Sequence, residues 1–376
     1  MARELSQSVT TSPPAGRGGA LDALRFVASL LIVLYHYGSE APVMLESLHP
    51  VFARGYLATD FFLILSGFVL GRAYGAQVLS GRIGLLGFLK KRVSRIWPAQ
   101  LVVLALLAII VALAAVVGIA PEHPENFTPT AMIMQMFMVQ AWGIDGGGGW
   151  NHQSWSLSAL VVCYAAFPMA WMALSRLKSP SVLLALGLLT VVLGDLVCVA
   201  AFGHHIYDLN FHLGVIRAVP LFLLGVCIAR VVEQGRPPVL MARTLAALSL
   251  IIVAALQVFG RFDLPSIIAI AGVVLGFGRL PVARPSKTVE QGAKLSFALF
   301  ITHGLTGLVW FGALGAVESR FDLPAWVLWT LWAGAVPAAL ITAALFHTLI
   351  DDPIQTWLAP RLKSAKRPAR ATPAAV

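Results

Sequence analysis

Arg25 and His36 stand eleven positions apart in one apolar stretch, LRFVASLLIVLYH. Eleven residues is close to three helical turns, so on a helix the two side chains share a face about 16 Å apart along the axis. A neutral imidazole can act as a general base at physiological pH or accept a group transiently. A guanidinium can grip phosphate through paired hydrogen bonds. Both are costly in lipid, and such residues usually face a bundle interior or a watery cavity. The plainer readings stay open: His36 as an interfacial histidine bonded to a carbonyl, Arg25 as an anchor paired with Asp22.

A second apolar stretch, DFFLILSGFVLGR, mirrors the first, with Asp60 at one end and Arg72 at the other. Asp60 is placed to orient the His36 ring, or is a carboxylate in water at the interface. Gly67 and Gly71 would let the first two spans approach closely. The run KKRVSRIWP, Lys90 to Pro98, reads either as a topology anchor or as a cradle for a polyanion, with Lys91, Arg92 and Arg95 as ligands. Arg217 lies inside a later span, where a charge is rarely idle, and Asp195 is its expected structural partner. His303 sits mid-span and reads as a packing histidine or a substrate contact. His347 and Asp351, four apart, can pair on one helix face. Trp142, Trp150, His152 and Trp155 offer rings and polar groups suited to a sugar, although Trp also gathers at any membrane interface.

These residues need a scaffold, and the composition supplies one. Of 376 residues, 58% are hydrophobic and 12% charged, against roughly 25% charged in a soluble domain. The apolar residues gather into runs of about twenty, the length that crosses a bilayer core. The expected fold is all-α and polytopic, with about ten spans near 21–38, 56–75, 97–118, 155–174, 181–202, 211–230, 239–259, 264–280, 294–315 and 325–349. Basic residues collect in alternate loops, at Arg82 to Arg95, Arg176 and Lys178, Arg230, Arg236 and Arg243, Arg284 and Lys287, and Arg361 to Arg370. The opposite loops hold Glu40, Glu46, Glu122, Glu125, Asp208, Asp263, Glu318 and Asp322, with only Arg54, Arg261 and Arg320. Basic loops stay in the cytoplasm, so both termini are expected inside. This alternation explains the net charge of +10 without nucleic acid. Residues 131–141 are apolar but too short to cross, and read as an outer interfacial or re-entrant helix. Residues 1–20 and 359–376 read as tails around a membrane domain at 21–358, the second basic and near anionic lipid. Cys163, Cys198 and Cys227 show neither metal spacing nor a disulfide framework, and no metal is expected.

Several segments together resemble acyltransferase family 3. LDALRFVASLLIVLYHYG resembles its first helix, with Arg, ten residues and His. DFFLILSGFVLGR, KKRVSRIWPAQ, QSWSLSA, FHLGVIRAVPLFLLG, LSFALFITHG and IDDPIQTWL resemble its later motifs, in order over nearly the whole chain. The resemblance implies ten helices and transfer of an acyl group, expected to be acetyl, from cytosolic acyl-CoA to a hydroxyl across the membrane. The acceptor is expected to be an envelope sugar or glycolipid, and the location a bacterial cytoplasmic membrane. His36 would be the base or transient acyl carrier and Asp60 its orienting acid. Arg25, Arg72, Lys91, Arg92 and Arg95 would hold the donor, whose arm would thread between the first two helices. Arg217, Trp150, His152, Trp155 and His303 would face the acceptor. The family's Trp-Ser-Leu-Ser element is usually followed, one residue on, by Glu; here that position is Leu160, and Asp60 is the candidate substitute. Two other readings remain: a secondary transporter using the intramembrane Arg, His and Asp, against which stands the lack of an internal repeat, and a non-catalytic member of the same fold.

Overall fold

The computed structural model describes residues 19–118, 123–235, 237–260, 262–281 and 286–363. Most of both expected tails lies outside these residues; Ala20 already opens the first helix and 359–363 belong to the last.

Among the described residues the regular structure is helical throughout. In chain order the helices are α1 (Ala20–Tyr37), the short α2 (Leu45–Leu48), α3 (Leu57–Leu79), α4 (Leu85–Val116) and α5 (Pro129–Met136). There follow α6 (Trp155–Ser175), α7 (Pro180–Phe202), α8 (Gly214–Glu233), α9 (Val239–Phe259) and α10 (Asp263–Arg279), then α11 (Lys287–Glu318), α12 (Ala325–Phe346) and α13 (Asp352–Lys363). Nine segments among the described residues are long and apolar enough to cross a membrane, and α10, at 17 residues, is a shorter apolar rod beside them. The chain is therefore an all-α integral membrane protein. Large apolar side chains such as Leu113, Val116, Leu196 and Ile251 point outward and are exposed, as lipid-facing positions should be.

Local signals set several boundaries. Ser179 caps α7 by accepting from Val182 N–H, Pro180 takes the first turn, and Gly203 closes the helix in the left-handed region at φ 71°. Ser286 caps α11 in the same way. One expectation changes. The basic run does not precede a helix: α4 begins at Leu85, so Lys91, Arg92 and Arg95 ride its first turns at fixed angles. The apolar 131–141 stretch overlaps α5, Pro129–Met136, whose eight residues are too short to cross, in keeping with its reading. At the far end, α12 passes into α13 through a π-helical turn, His347–Asp351, an irregularity often found at functional sites.

The core runs along α3, which packs most extensively on α8. Leu63, Ile64, Leu221 and Phe222 are fully buried along it. The two backbones nearly touch: a Cβ at Gly67 would lie 2.1 Å from the Phe222 carbonyl oxygen, and one at Gly225 would lie 1.9 Å from that of Ile64. Gly67 and Gly71 thus serve α3 against α8 and α6, with Trp171 and Ala229 beside Gly71, and not the contact between the first two spans. α1 packs chiefly on α11, where Ser29 donates to the Ser296 carbonyl at 3.0 Å.

Candidate active site

α1 and α11 bring two histidines together. His36 Nδ1 lies 2.9 Å from His303 Nε2, and the rings stack with centroids 5.0 Å apart and planes 21° apart. His303 Nδ1 lies 3.1 Å from the Leu299 carbonyl oxygen. That oxygen can only accept, so Nδ1 of His303 carries a hydrogen. In a neutral ring Nε2 is then the acceptor, and His36 Nδ1 must be the donor. His36 Nε2 is left with a free lone pair. The arrangement is fastened from behind. Tyr37 Oη donates to the His303 carbonyl at 2.8 Å, and Trp332 Nε1 to the Tyr37 carbonyl at 2.7 Å.

His36 borders a cavity of about 130 Å³, with His152, Tyr56, Thr59, Arg217 and Phe300 also in its wall. His152 is exposed and stands at the mouth. Its ring is edge-on to His36 at 5.9 Å and to Phe211 at 4.0 Å. A buried polar network holds the short 3-10 turn that carries it. Asn151 Nδ2 donates to Gln100 Oε1 at 2.7 Å, and Gln100 and Gln140 both donate to Ser154 Oγ, at 3.1 and 3.0 Å. Gln153 ties the same turn to α11 through the Ile301 carbonyl. Ser158, one helical turn on, donates to the Met138 carbonyl at 2.7 Å. Ser158 of the Trp-Ser-Leu-Ser element thus fixes the 138–142 loop against α6.

Asp60 does not orient His36. Both of its oxygens are spent on Arg217, Oδ1 at 2.8 Å from Nε and Oδ2 at 2.9 Å from Nη2. The side chains are 0% and 3% exposed respectively. Packing explains the difference: Asp60 is on the face of α3 that meets α8, and a buried guanidinium requires a carboxylate. The side chain hydrogen-bonded to His36 is His303. Arg217 also donates to the Tyr207 carbonyl and lies over the rings of Tyr56 and Trp155, at 5.8 and 5.6 Å. Burial, then Asp263, Asp195 and Asp208, push the Tyr207 phenol up to about 12, so it stays protonated. Asp195, expected to pair with Arg217, instead accepts from Ile206 N–H at 2.9 Å and faces His205 Nδ1 at 3.1 Å.

The cations gather elsewhere. Arg95 forks onto Asp351 of the π turn at 2.7 and 3.2 Å and lies 4.6 Å over the Phe297 ring. Arg92 donates to Tyr74 Oη and lies 4.6 Å over that ring. Arg72 and Lys91 are half-buried nearby in chain position. Arg25 lies 3.6 Å from Asp22, a pairing its sequence position anticipated. Trp150 does not border the cavity: its Nε1 donates to the Thr128 carbonyl at 2.9 Å and its ring meets Phe127. Trp155 is in the cavity wall. Leu160 is a buried residue of the core. The sequence reading missed Phe300, Tyr56 and the Arg95–Asp351 pair. Aromatics inside apolar spans give no spacing signal, and Asp351 was read as a partner for His347 alone, which it also is, at 3.5 Å.

The model of the family described as an acyltransferase domain matches residues 19–348. The chain belongs to acyltransferase family 3. Among curated proteins it is similar to protein 2 in the picA locus of Rhizobium radiobacter, 39% identical over 27% of this chain and 48% of that one. It is also similar to acyltransferase MdmB of Streptomyces mycarofaciens, 28% identical over 44% of this chain and 41% of that one. The matches thus span half or less of those relatives' length. No solved structure matches.

Proposed function

We propose that this membrane acyltransferase moves a short acyl group, acetyl in the first place, from acyl-CoA to a hydroxyl of an envelope sugar or glycolipid. The observation that carries the reading is the His36–His303 pair, which leaves His36 Nε2 free beside a cavity. In direct transfer, that nitrogen takes the acceptor's O–H proton as the oxygen attacks the thioester carbonyl. The C–S bond breaks and the imidazolium returns the proton to the departing thiolate. In the two-step alternative Nε2 attacks the thioester carbonyl, the C–S bond breaks and the thiolate departs; the hydroxyl then attacks the acyl-imidazolium, the C–N bond breaks, and the hydroxyl proton passes to the thiolate. Neutral His303 accepts from His36 Nδ1–H in either route, as a carboxylate does in many catalytic pairs.

The donor's phosphates dock at the basic end of α4, on Arg95, Arg92 and Lys91 with Arg72 of α3, taken as the cytoplasmic side because basic loops stay there. Arg25 of α1 is a further phosphate ligand. The arm is better drawn between α3 and α11 than between α1 and α3. Arg95 lies on Phe297, and Phe297, Phe300 and His303 follow at intervals of three along α11, a stripe leading to the histidines. His152 and Trp155 meet the acceptor at the mouth, on the outer side of a bacterial cytoplasmic membrane.

The test uses membranes carrying the full chain, radiolabelled acetyl-CoA and envelope extract. His36→Ala should lose roughly 10²–10⁴-fold in label transfer, the usual worth of a general base, while acetyl-CoA binding persists. His303→Gln should lose less, because an amide can still accept from His36 Nδ1–H. Near-normal transfer by His36→Ala refutes the assignment.

A further inference from the structure

The reading above leaves one matter of specificity open: which acyl groups the site accepts. Two phenylalanines bear on it. Phe300 of α11 is in the cavity wall, one helical turn before His303, and its ring lies 6.4 Å from that imidazole. Phe62 of α3 lies three residues after Thr59, another wall residue. The Phe62 and Phe300 rings face each other with centroids 6.0 Å apart and planes at 58°. Both helices run from the cations to the histidines through this point. On α11 the order is Phe297 under Arg95, then Phe300, then His303. On α3 it is Tyr74 under Arg92, then Phe62, then Thr59. Phe300 therefore walls the cavity on the side of the basic end, and Phe62 backs its ring.

We propose that the Phe62–Phe300 pair is an acyl-chain gauge that restricts the donor to short-chain acyl thioesters. The inference rests on the acyl-CoA reading above. When the thioester carbonyl reaches His36 Nε2, its acyl group must occupy the same cavity of about 130 Å³ as the attacking hydroxyl. A two-carbon group leaves room for the acceptor; an eight-carbon chain has to displace either the acceptor or a ring. A tilted ring pair in which Phe300 is buried in the core resists displacement, since such interiors are close-packed. One methylene more or less in an apolar pocket changes discrimination by roughly 10–200-fold, so removing a whole ring should reset the preference.

The experiment compares acetyl-, butyryl- and octanoyl-CoA as donors for wild type, Phe300→Ala and Phe62→Leu in membranes with envelope extract, reading release of free CoA thiol. The wild type should prefer acetyl-CoA. Phe300→Ala should raise the octanoyl-to-acetyl ratio by about tenfold or more, and Phe62→Leu should raise it by less. If Phe300→Ala fails to fold, the ratio for Phe62→Leu decides alone. The gauge is overturned if the wild type uses octanoyl-CoA as readily as acetyl-CoA. It is overturned equally if a folded variant turns over acetyl-CoA with an unchanged ratio, or if both variants lose acetyl turnover, which would make the rings purely structural. Absence of thiol release by the wild type with all three donors is a different failure: it removes the acyl-CoA reading itself.

Discussion

Two arginine–carboxylate pairs in this protein have nearly the same bond lengths and different surroundings. Arg217 and Asp60 are sealed between α8 and α3, 3% and 0% exposed, with bonds of 2.8 and 2.9 Å. Arg95 and Asp351 join α4 to the π turn with bonds of 2.7 and 3.2 Å, but Arg95 is 39% exposed while Asp351 is 2% exposed. In the first pair the carboxylate is wholly enclosed, so removing the guanidinium strands it. In the second the cation has one side in solvent, where Coulomb attraction is weak and another anion can compete for it. The same chemistry serves as a rivet in one place and as an exchangeable contact in the other.

The largest effect should come from breaking the rivet. Arg217→Met strands the buried Asp60 carboxyl without its partner, which typically costs about 3–5 kcal/mol, a large part of a stability of about 5–15 kcal/mol. Thermal unfolding in detergent should show a greatly weakened protein. Arg217→Met combined with Asp60→Leu should regain much of the loss, because an apolar pair of similar volume often replaces a buried ion pair at little cost. If the single variant unfolds like wild type, the pair is not structural. Turnover in the refolded double variant then reports whether the guanidinium also serves the acceptor.

Arg95→Gln should do the reverse, sparing the fold and weakening the donor. Losing a charge-assisted contact worth about 1.5–3 kcal/mol predicts a KM for acetyl-CoA raised roughly ten- to hundredfold, with kcat and melting temperature little changed. A lower melting temperature with unchanged KM would make Arg95 a strut for Asp351. The smallest change is expected for Tyr56→Phe. Its hydroxyl donates to Asp263 at 2.6 Å, but Arg54 Nη2 holds the same oxygen at 2.6 Å. The loss should be about 1 kcal/mol by unfolding. A larger loss would show that Tyr56, which also lies under Arg217, is part of the rivet.

Much of this molecule was legible in its sequence, and the misreadings share one cause. Runs of apolar residues located the long helices, and Arg25, His36 and Arg217 were noticed because charge in a span is costly. Pairing was harder. Asp60 was assigned to His36 because a short loop joins their helices, yet its partner is Arg217, 157 residues away. His303 was given to the acceptor and not to His36, since its register against α1 is fixed only when α11 packs there. Spacing within a helix identifies shared faces, whereas which face meets which neighbour depends on the whole bundle. Gly67 and Gly71 make the same point: the small residues were evident, but not that α8 and α6 would fill the space.

The Gly67–Gly225 seam has a consequence for the cell's permeability barrier. With a carbonyl of each helix pressed against a glycine of the other, α3 and α8 have no slack to roll or slide past one another. A rocking transporter cycle would have to open that seam, so the protein offers a fixed frame. On the proposed route the acyl group moves and the helices do not. A static frame with a path from one aqueous face to the other must stay sealed between turnovers, and packed side chains are what is available to seal it.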